Sequence, residues 1–82
     1  MTKVGLKALG EAHLQGVPIT FFAESVREDL FVCRAEWNEG GVAHYALGKR
    51  FRTTSNRKAN LLAGEMMRAE LGLLSGGKAE LL

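Results

Sequence analysis

The spacing of the apolar residues changes twice along this chain, and each change marks a switch between helix and strand. Residues 3–14 carry apolar side chains at helical spacing, and the Gly-Val-Pro at residues 16–18 ends this segment. From Ile19 apolar and polar residues alternate, which is the period of a strand with one buried face. Beyond Ser55 the apolar residues again step by three and four. The sequence therefore predicts two helices that flank a set of strands.

Three strands are predicted between these helices. The first begins at Ile19 and enters a polar turn at residues 25–29. One face of the second strand is apolar and comprises Phe31, Cys33, Ala35 and Trp37. Residues 38–41, Asn-Glu-Gly-Gly, are typical of a hairpin turn because Asn and Gly tolerate positive φ. The third strand then runs from Val42 to about Lys49, and short turns of this kind join antiparallel strands.

The last helix completes a two-layer fold. Thr54 or Ser55 is expected to cap its start, and Gly72 to end it. Its apolar face is formed by Ala59, Leu62, Ala63, Met66 and Met67. We therefore expect an α+β protein of the order α-β-β-β-α, in which a three-stranded antiparallel sheet carries both helices on one face. Residues 1–74 form a single domain in this interpretation, and residues 75–82 form a flexible C-terminal tail.

Composition and motifs argue against several classes of protein. The 82 residues suit one globular domain, and the lone cysteine, Cys33, cannot form an internal disulfide, which indicates a protein that is cytoplasmic or indifferent to redox state. No apolar run approaches the ~20 residues that span a bilayer, so no membrane partner is expected. His13 and His44 lie far apart, and neither a metal-ligand spacing nor a catalytic set can be assembled. We expect no enzyme activity, no metal and no cofactor.

Positive charge is concentrated where the third predicted strand meets the last helix. Five of the eleven Lys and Arg residues lie between positions 49 and 58, without any Asp or Glu among them, although the net charge of the chain is only +2. Unpaired backbone N–H groups at a helix start favour anions, and Arg57 and Lys58 add full charges there. The sequence therefore predicts a phosphate-binding site at this junction.

Four local motifs occur in the order found in one RNA-binding family. They are Leu6-Lys7-Ala8-Leu9-Gly10-Glu11, Gly16-Val17-Pro18 followed by Ile19-Thr20-Phe21, Phe31-Val32-Cys33-Arg34-Ala35, and Gly48 followed by the segment from Ser55 to Ala63. With this succession the chain resembles the double-stranded RNA-binding domain (dsRBD) family. The resemblance implies a non-catalytic module that binds duplex RNA across two minor grooves and the intervening phosphates, over ~16 base pairs, and reads shape more than sequence.

The resemblance also implies a role for particular residues. Glu11 would contact 2′-hydroxyl groups in one minor groove with Lys3 or Lys7 nearby, and Arg27 would approach the second groove from the loop after the first strand. Phosphates across the major groove would be held by residues at and before the last helix, namely Lys49, Arg52, Asn56, Arg57, Lys58 and Asn60. Asn56 and Asn60 stand at two of the three positions where the family usually has lysine.

A protein-interaction or inhibitor module on the same fold is the alternative. In this interpretation, which suits a bacterial or phage accessory protein, the chain has lost RNA binding. Glu28 and Asp29 would repel a phosphate-rich groove, and the small net charge points the same way. The partner would be another protein, or a second copy of this chain in a homodimer, contacted through the sheet face around Phe22, Val32 and Val42 or through the leucines of the tail. Another duplex nucleic acid also stays open as a partner, since contacts to phosphates do not choose the polymer.

Overall fold

A four-stranded mixed sheet and two helices make up the part of the chain that the structure describes. In this computed structural model that part is residues 1–75. The elements in chain order are β1 (Thr2–Lys3), α1 (Leu6–Leu14), β2 (Thr20–Arg27), β3 (Leu30–Glu39), β4 (Val42–Arg52) and α2 (Asn56–Ser75). The expected α+β class with two helices is therefore confirmed. Of the predicted tail at residues 75–82, only Ser75 lies within the described residues, as the last residue of α2.

The sheet differs from the predicted one by an additional strand. Its strand order is β1-β4-β3-β2, and β2, β3 and β4 form an antiparallel meander. β1 pairs with β4 in parallel, with Thr2 opposite His44, and the N–H of Val4 donates to the carbonyl oxygen of Tyr45 at 2.8 Å. The expected three-stranded, purely antiparallel sheet is thus corrected to a mixed one. Two residues are too few to show an alternating pattern, so the sequence does not reveal β1.

Both helices pack on one face of the sheet. On β3, Cys33, Ala35 and Trp37 point into the core, as the alternation predicted. Buried residues of both helices and of β4 join them there: Leu9, Ala12, Ala46, Ala63, Met67 and Leu71. The opposite face, called the open face below, carries the even-numbered residues of β3 and their neighbours across the strands, because side chains alternate along a strand.

β2 and β4 are longer than predicted. β2 continues through the expected turn to Arg27, so the hairpin turn contains only Glu28 and Asp29. Asp29 has a φ of 60°, a conformation that Asp adopts more readily than most residues. β4 continues past the predicted end at Lys49 to Arg52. The longer strands carry the hairpin turn and several basic residues to the same end of the sheet.

Capping and packing together set the limits of α2. Of the two predicted caps, Ser55 is the one used: its Oγ accepts a hydrogen bond from the N–H of Lys58 at 3.2 Å. The predicted end at Gly72 is wrong, since the helix continues to Ser75. Leu71 is buried in the core immediately before this glycine. Tertiary packing therefore outweighs the low helix propensity of Gly72.

A bulge in β4 brings the sheet close to α2. The register of β3 against β4 shifts at Cys33, where two residues of β4, Gly48 and Lys49, lie opposite one residue of β3. A Cβ built on Gly48 would lie 2.5 Å from the Met67 sulfur and 3.2 Å from the Cys33 Cβ. Met67 and Cys33 are both fully buried. A side chain at position 48 would therefore displace the buried side chains of Met67 and Cys33.

Replacing Gly48 with alanine is expected to lower the free energy of unfolding by about 1–3 kcal/mol, since overpacking forces buried neighbours to move. Urea denaturation measures the change. Gly64→Ala is the matched control, because its Cβ would meet the flexible end of the exposed Arg68 at 3.3 Å. Filling a helical glycine is expected to raise the free energy of unfolding by up to about 1 kcal/mol. Equal effects of the two substitutions would contradict the close approach at Gly48.

Candidate nucleic-acid interface

Five exposed cations lie where β4 ends and α2 begins, and this group is called the basic corner. It consists of Lys49, Arg50, Arg52, Arg57 and Lys58. Within residues 1–75 none of the five takes part in an ion pair, because both ion pairs found there belong to Arg34. Their charges are therefore not balanced by carboxylates in contact with them. A surface of this kind has a positive potential that attracts polyanions.

Two hydrogen bonds hold the basic corner at one end of the sheet. The N–H of Thr53, which follows β4, donates to the carbonyl oxygen of Asp29 in the β2–β3 turn at 3.1 Å. The Thr53 hydroxyl accepts a hydrogen bond from the N–H of Ser55, 3.3 Å away. Arg52 and Arg57 are five residues apart, so their Cα atoms lie within ~17 Å of each other. The hairpin turn, the end of β4 and the start of α2 therefore form one continuous surface.

The start of α2 contributes to this positive surface. The Ser55 carbonyl oxygen accepts the first helical hydrogen bond, from the N–H of Ala59 at 3.0 Å. The N–H groups of a first helical turn point out of the helix and carry a partial positive charge. Arg57 and Lys58 are both exposed in that turn. The structure thus joins two cations to a helix start, as the charge pattern predicted.

Asn60 makes a structural contact that the sequence did not indicate. Its Oδ1 accepts a hydrogen bond from the N–H of Ala23 at 2.9 Å, between residues 37 positions apart. Ala23 lies on β2, which within residues 1–75 is an edge strand paired with β3 alone. The contact fastens the first turns of α2 to this edge and occupies the side-chain oxygen of Asn60. Asn56 is the first residue of α2 and is exposed.

The structure joins one of the three remaining predicted contact residues to the basic corner. Arg27 ends β2 opposite Leu30, and Leu30 lies opposite Arg52 on its other side. Arg27 therefore belongs to the same end of the sheet. Glu11 and Lys7 are exposed on α1. Within the described residues neither of them forms a hydrogen bond or an ion pair with the basic corner.

Arg34 is a cation whose charge is already matched by its neighbours. On the open face its Nη1 lies 2.7 Å from Glu24 Oε1 and its Nε lies 2.7 Å from Glu36 Oε2. Its guanidinium group also stacks over the Tyr45 ring at 4.1 Å. Burial lowers the pKa of Arg34, but the hydrogen bonds to Glu36 and Glu24 outweigh this effect and raise the pKa above its ordinary value. Arg34 therefore stays charged but is engaged with two carboxylates.

Arg50 belongs to the charge cluster seen in the sequence, but no contact with phosphate is predicted for it there. Regular alternation along β4 would place Arg50 on the same face as Ala46, which is in the core. The bulge reverses this placement, because Arg50 lies opposite Val32 on the open face. Gly48 was the available signal, since a glycine inside a strand often marks a bulge.

Cys33 is a core residue and takes no part in the basic corner. Its side chain is fully buried between the sheet and α2. Burial, with a smaller contribution from the negative charge of Glu70, raises the pKa of the Cys33 thiol above its ordinary value. A buried neutral thiol is a poor nucleophile, because the thiolate is the reactive form.

The stability of the protein is therefore expected to fall at alkaline pH in a way that depends on Cys33. Below about 8.5, the ordinary pKa of cysteine, the thiol is protonated in both the folded and the unfolded chain. At higher pH the unfolded chain loses a proton that the folded chain retains, so the free energy of unfolding decreases. Urea denaturation between pH 7 and 10 checks this, with Cys33→Ala as the variant that lacks the effect. The same pH dependence in both proteins would contradict it.

Comparison with known proteins does not assign the interface. Models of known protein families, curated proteins and solved structures all give no match to this chain. Neither helix in the described part of the chain is long and apolar enough to cross a membrane. Among residues 1–75, no group of three or more His, Cys, Asp or Glu residues is placed to hold a metal ion. The interface is therefore defined by its own geometry and charge.

Proposed function

We propose that this chain is a non-catalytic module that binds double-stranded RNA through its phosphates and its shape. The observation that supports this most directly is the basic corner. Its five exposed cations have no ion pair within residues 1–75, and they lie beside the positive end of α2. Helix starts and clustered Lys and Arg residues are both used to bind phosphates.

The order of the elements also supports the proposal. The succession α1, β2, β3, β4, α2, with both helices on one face, is the succession that the dsRBD resemblance implies. β1 is an addition at the far edge of β4 and leaves this succession unchanged. The basic corner lies at the start of the second helix, which is where the resemblance implies phosphate contacts across the major groove.

The aromatic residues favour a duplex over a single strand as the partner. Proteins that bind single-stranded nucleic acids usually stack bases on exposed aromatic side chains. Here Trp37 is buried in the core, and the Tyr45 ring on the open face is covered by the Arg34 guanidinium. Phe22, also on the open face, is half-buried. Charge and shape are therefore better supported as the basis of recognition than stacking on unpaired bases.

A titration with labelled nucleic acids tests this function. The protein is added to a fluorescent RNA duplex of about 20 base pairs, to the matching DNA duplex and to each single strand, at low and at physiological salt. We expect micromolar or tighter binding that prefers duplex RNA and weakens steeply with salt. Equally weak binding to all four polymers, lost at physiological salt, would contradict the function.

One observation favours a second candidate, a protein-interaction or inhibitor module. The β2–β3 turn places Glu28 and Asp29 at the same end of the sheet as the basic corner, and both are exposed. These carboxylates would oppose a polyanion and could contact basic groups on another protein. Failure of the nucleic-acid titration would make this the preferred function, whether the partner is a different protein or a second copy of the chain. In either case we propose a cytoplasmic location, on the ground of the single buried cysteine.

A further inference from the structure

The register of the sheet places three arginines on the open face, at the end that carries the basic corner. Arg50 lies opposite Val32 on the neighbouring strand. Arg27 and Arg52 lie on either side of Leu30. Val32 and Leu30 alternate with the core residues of β3, and directly opposite residues share a face of a sheet. All three arginines are exposed.

The spacing of these arginines makes them a single positive surface. Arg50 and Arg52 are two residues apart on one strand, so their Cα atoms are separated by ~7 Å. Arg27 and Arg52 lie two strand spacings apart, or ~10 Å. Within residues 1–75 none of the three forms an ion pair, in contrast to Arg34 on the same face. Like charges this close repel one another, and an anion that lies between them relieves the repulsion.

We propose that the nucleic-acid contact continues from the start of α2 round the end of β4 onto the open face, where Arg27, Arg50 and Arg52 bind phosphates of the same RNA duplex. The inference rests on the proposed function and adds a face of the sheet to it. The resemblance implied contacts from α1, from the first hairpin loop and from the start of α2. Residues 53–55 are the only link between Arg52 and α2, so the two groups of cations border each other.

Protection of a strand edge is the other role that these charges could have. β1 pairs with β4 only at His44 and Tyr45, so in the described part of the chain the outer edge of β4 beyond Tyr45 has no paired strand. Charged side chains along such an edge discourage pairing with another chain. That role predicts self-association when Arg50 and Arg52 lose their charge, and it predicts no loss of RNA affinity.

A charge-removal experiment separates the two roles. We would compare Arg50→Gln/Arg52→Gln with Arg68→Gln, which removes a charge at an exposed site on α2, outside the basic corner and away from the open face. The salt dependence of binding to the RNA duplex of about 20 base pairs is measured for each, with thermal unfolding to verify the fold. The slope of log K against log salt is negative, and we expect the first variant to reduce its magnitude by about 2. The second variant should leave the slope unchanged. Arg50→Lys/Arg52→Lys, which keeps the charge, should retain most of the slope.

Three results would overturn the inference. If the two glutamine variants have the same slope as the unchanged protein, the open face does not contact phosphates. If Arg50→Gln/Arg52→Gln self-associates in sedimentation without a change in slope, the arginines protect the edge of β4. If the unchanged protein binds no duplex RNA, the proposed function itself fails, and this result is read from the unchanged protein alone.

Removing negative charge from the β2–β3 turn should have the opposite effect on RNA affinity. Glu28→Gln/Asp29→Asn removes two carboxylates beside Arg27, and Asn tolerates the positive φ at position 29. If the duplex lies on this end of the sheet, the variant should bind it several-fold more tightly at low salt. Unchanged affinity would place the duplex away from the turn and would count against the open face.

Discussion

Replacing Trp37 with alanine is expected to lower the free energy of unfolding by about 3–5 kcal/mol, the range typical of a buried tryptophan. The side chain is only 4% exposed and lies on the core face of the central strand β3. Its ring contacts that of His44 on β4, with 5.8 Å between the centroids, and its Nε1–H donates to Glu39 at 3.3 Å. The substitution would remove these contacts and leave a cavity between the sheet and the helices.

This effect is large in relation to the stability of a small domain. At roughly 0.05–0.15 kcal/mol per residue, 82 residues correspond to a free energy of unfolding of about 4–12 kcal/mol. The variant should therefore be partly unfolded in water if the protein lies at the low end of this range. Urea denaturation must be followed by far-UV circular dichroism, because Trp37 is the only tryptophan and its fluorescence is lost.

Two controls show whether the loss comes from burial at this site. Trp37→Phe keeps an aromatic ring in the core and should cost clearly less than the alanine variant. Leu61→Ala truncates a side chain that is 62% exposed on α2, and it should change the free energy of unfolding by less than about 0.5 kcal/mol. A Trp37→Ala variant as stable as Leu61→Ala would contradict the placement of Trp37 in the core.

The sequence predicts those parts of the fold whose pattern is long enough to repeat. Alternation over β3 predicts a buried face formed by Phe31, Cys33, Ala35 and Trp37, and all four side chains are buried. β1 has two residues and pairs through its backbone, so it leaves no pattern of side chains. The predicted end of α2 at Gly72 is wrong because a local propensity of about 1 kcal/mol does not include the packing of the helix.

The candidate site shows the same division between local and distant information. Arg57 and Lys58 follow the capping Ser55 by two and three residues, so their position at a helix start could be predicted. The hydrogen bond between Asn60 and Ala23 joins residues 37 positions apart, and no local pattern indicates it. The face occupied by Arg50 depends on a bulge, because one inserted residue moves every later side chain to the other side of the sheet.

Replacing both Arg57 and Lys58 with alanine is expected to weaken binding to duplex RNA by about tenfold or more at low salt. Both side chains are exposed beside the positive end of α2, and neither has an ion pair within the described residues. Each cation that contacts a phosphate releases about one counterion. Losing two contacts should therefore reduce the magnitude of the negative slope of log K against log salt by about 2.

The expected change in slope distinguishes phosphate contacts from a general effect of net charge. Arg68→Ala removes an exposed positive charge on α2, outside the basic corner and away from the open face, and should leave the slope unchanged. The Ser55 cap bonds to the backbone N–H of Lys58, which the substitution retains, so the start of α2 should stay folded. Thermal unfolding of both variants verifies this. If the magnitude of the slope falls by the same amount per charge removed in both variants, the RNA responds to total charge and the start of α2 is not a specific phosphate site.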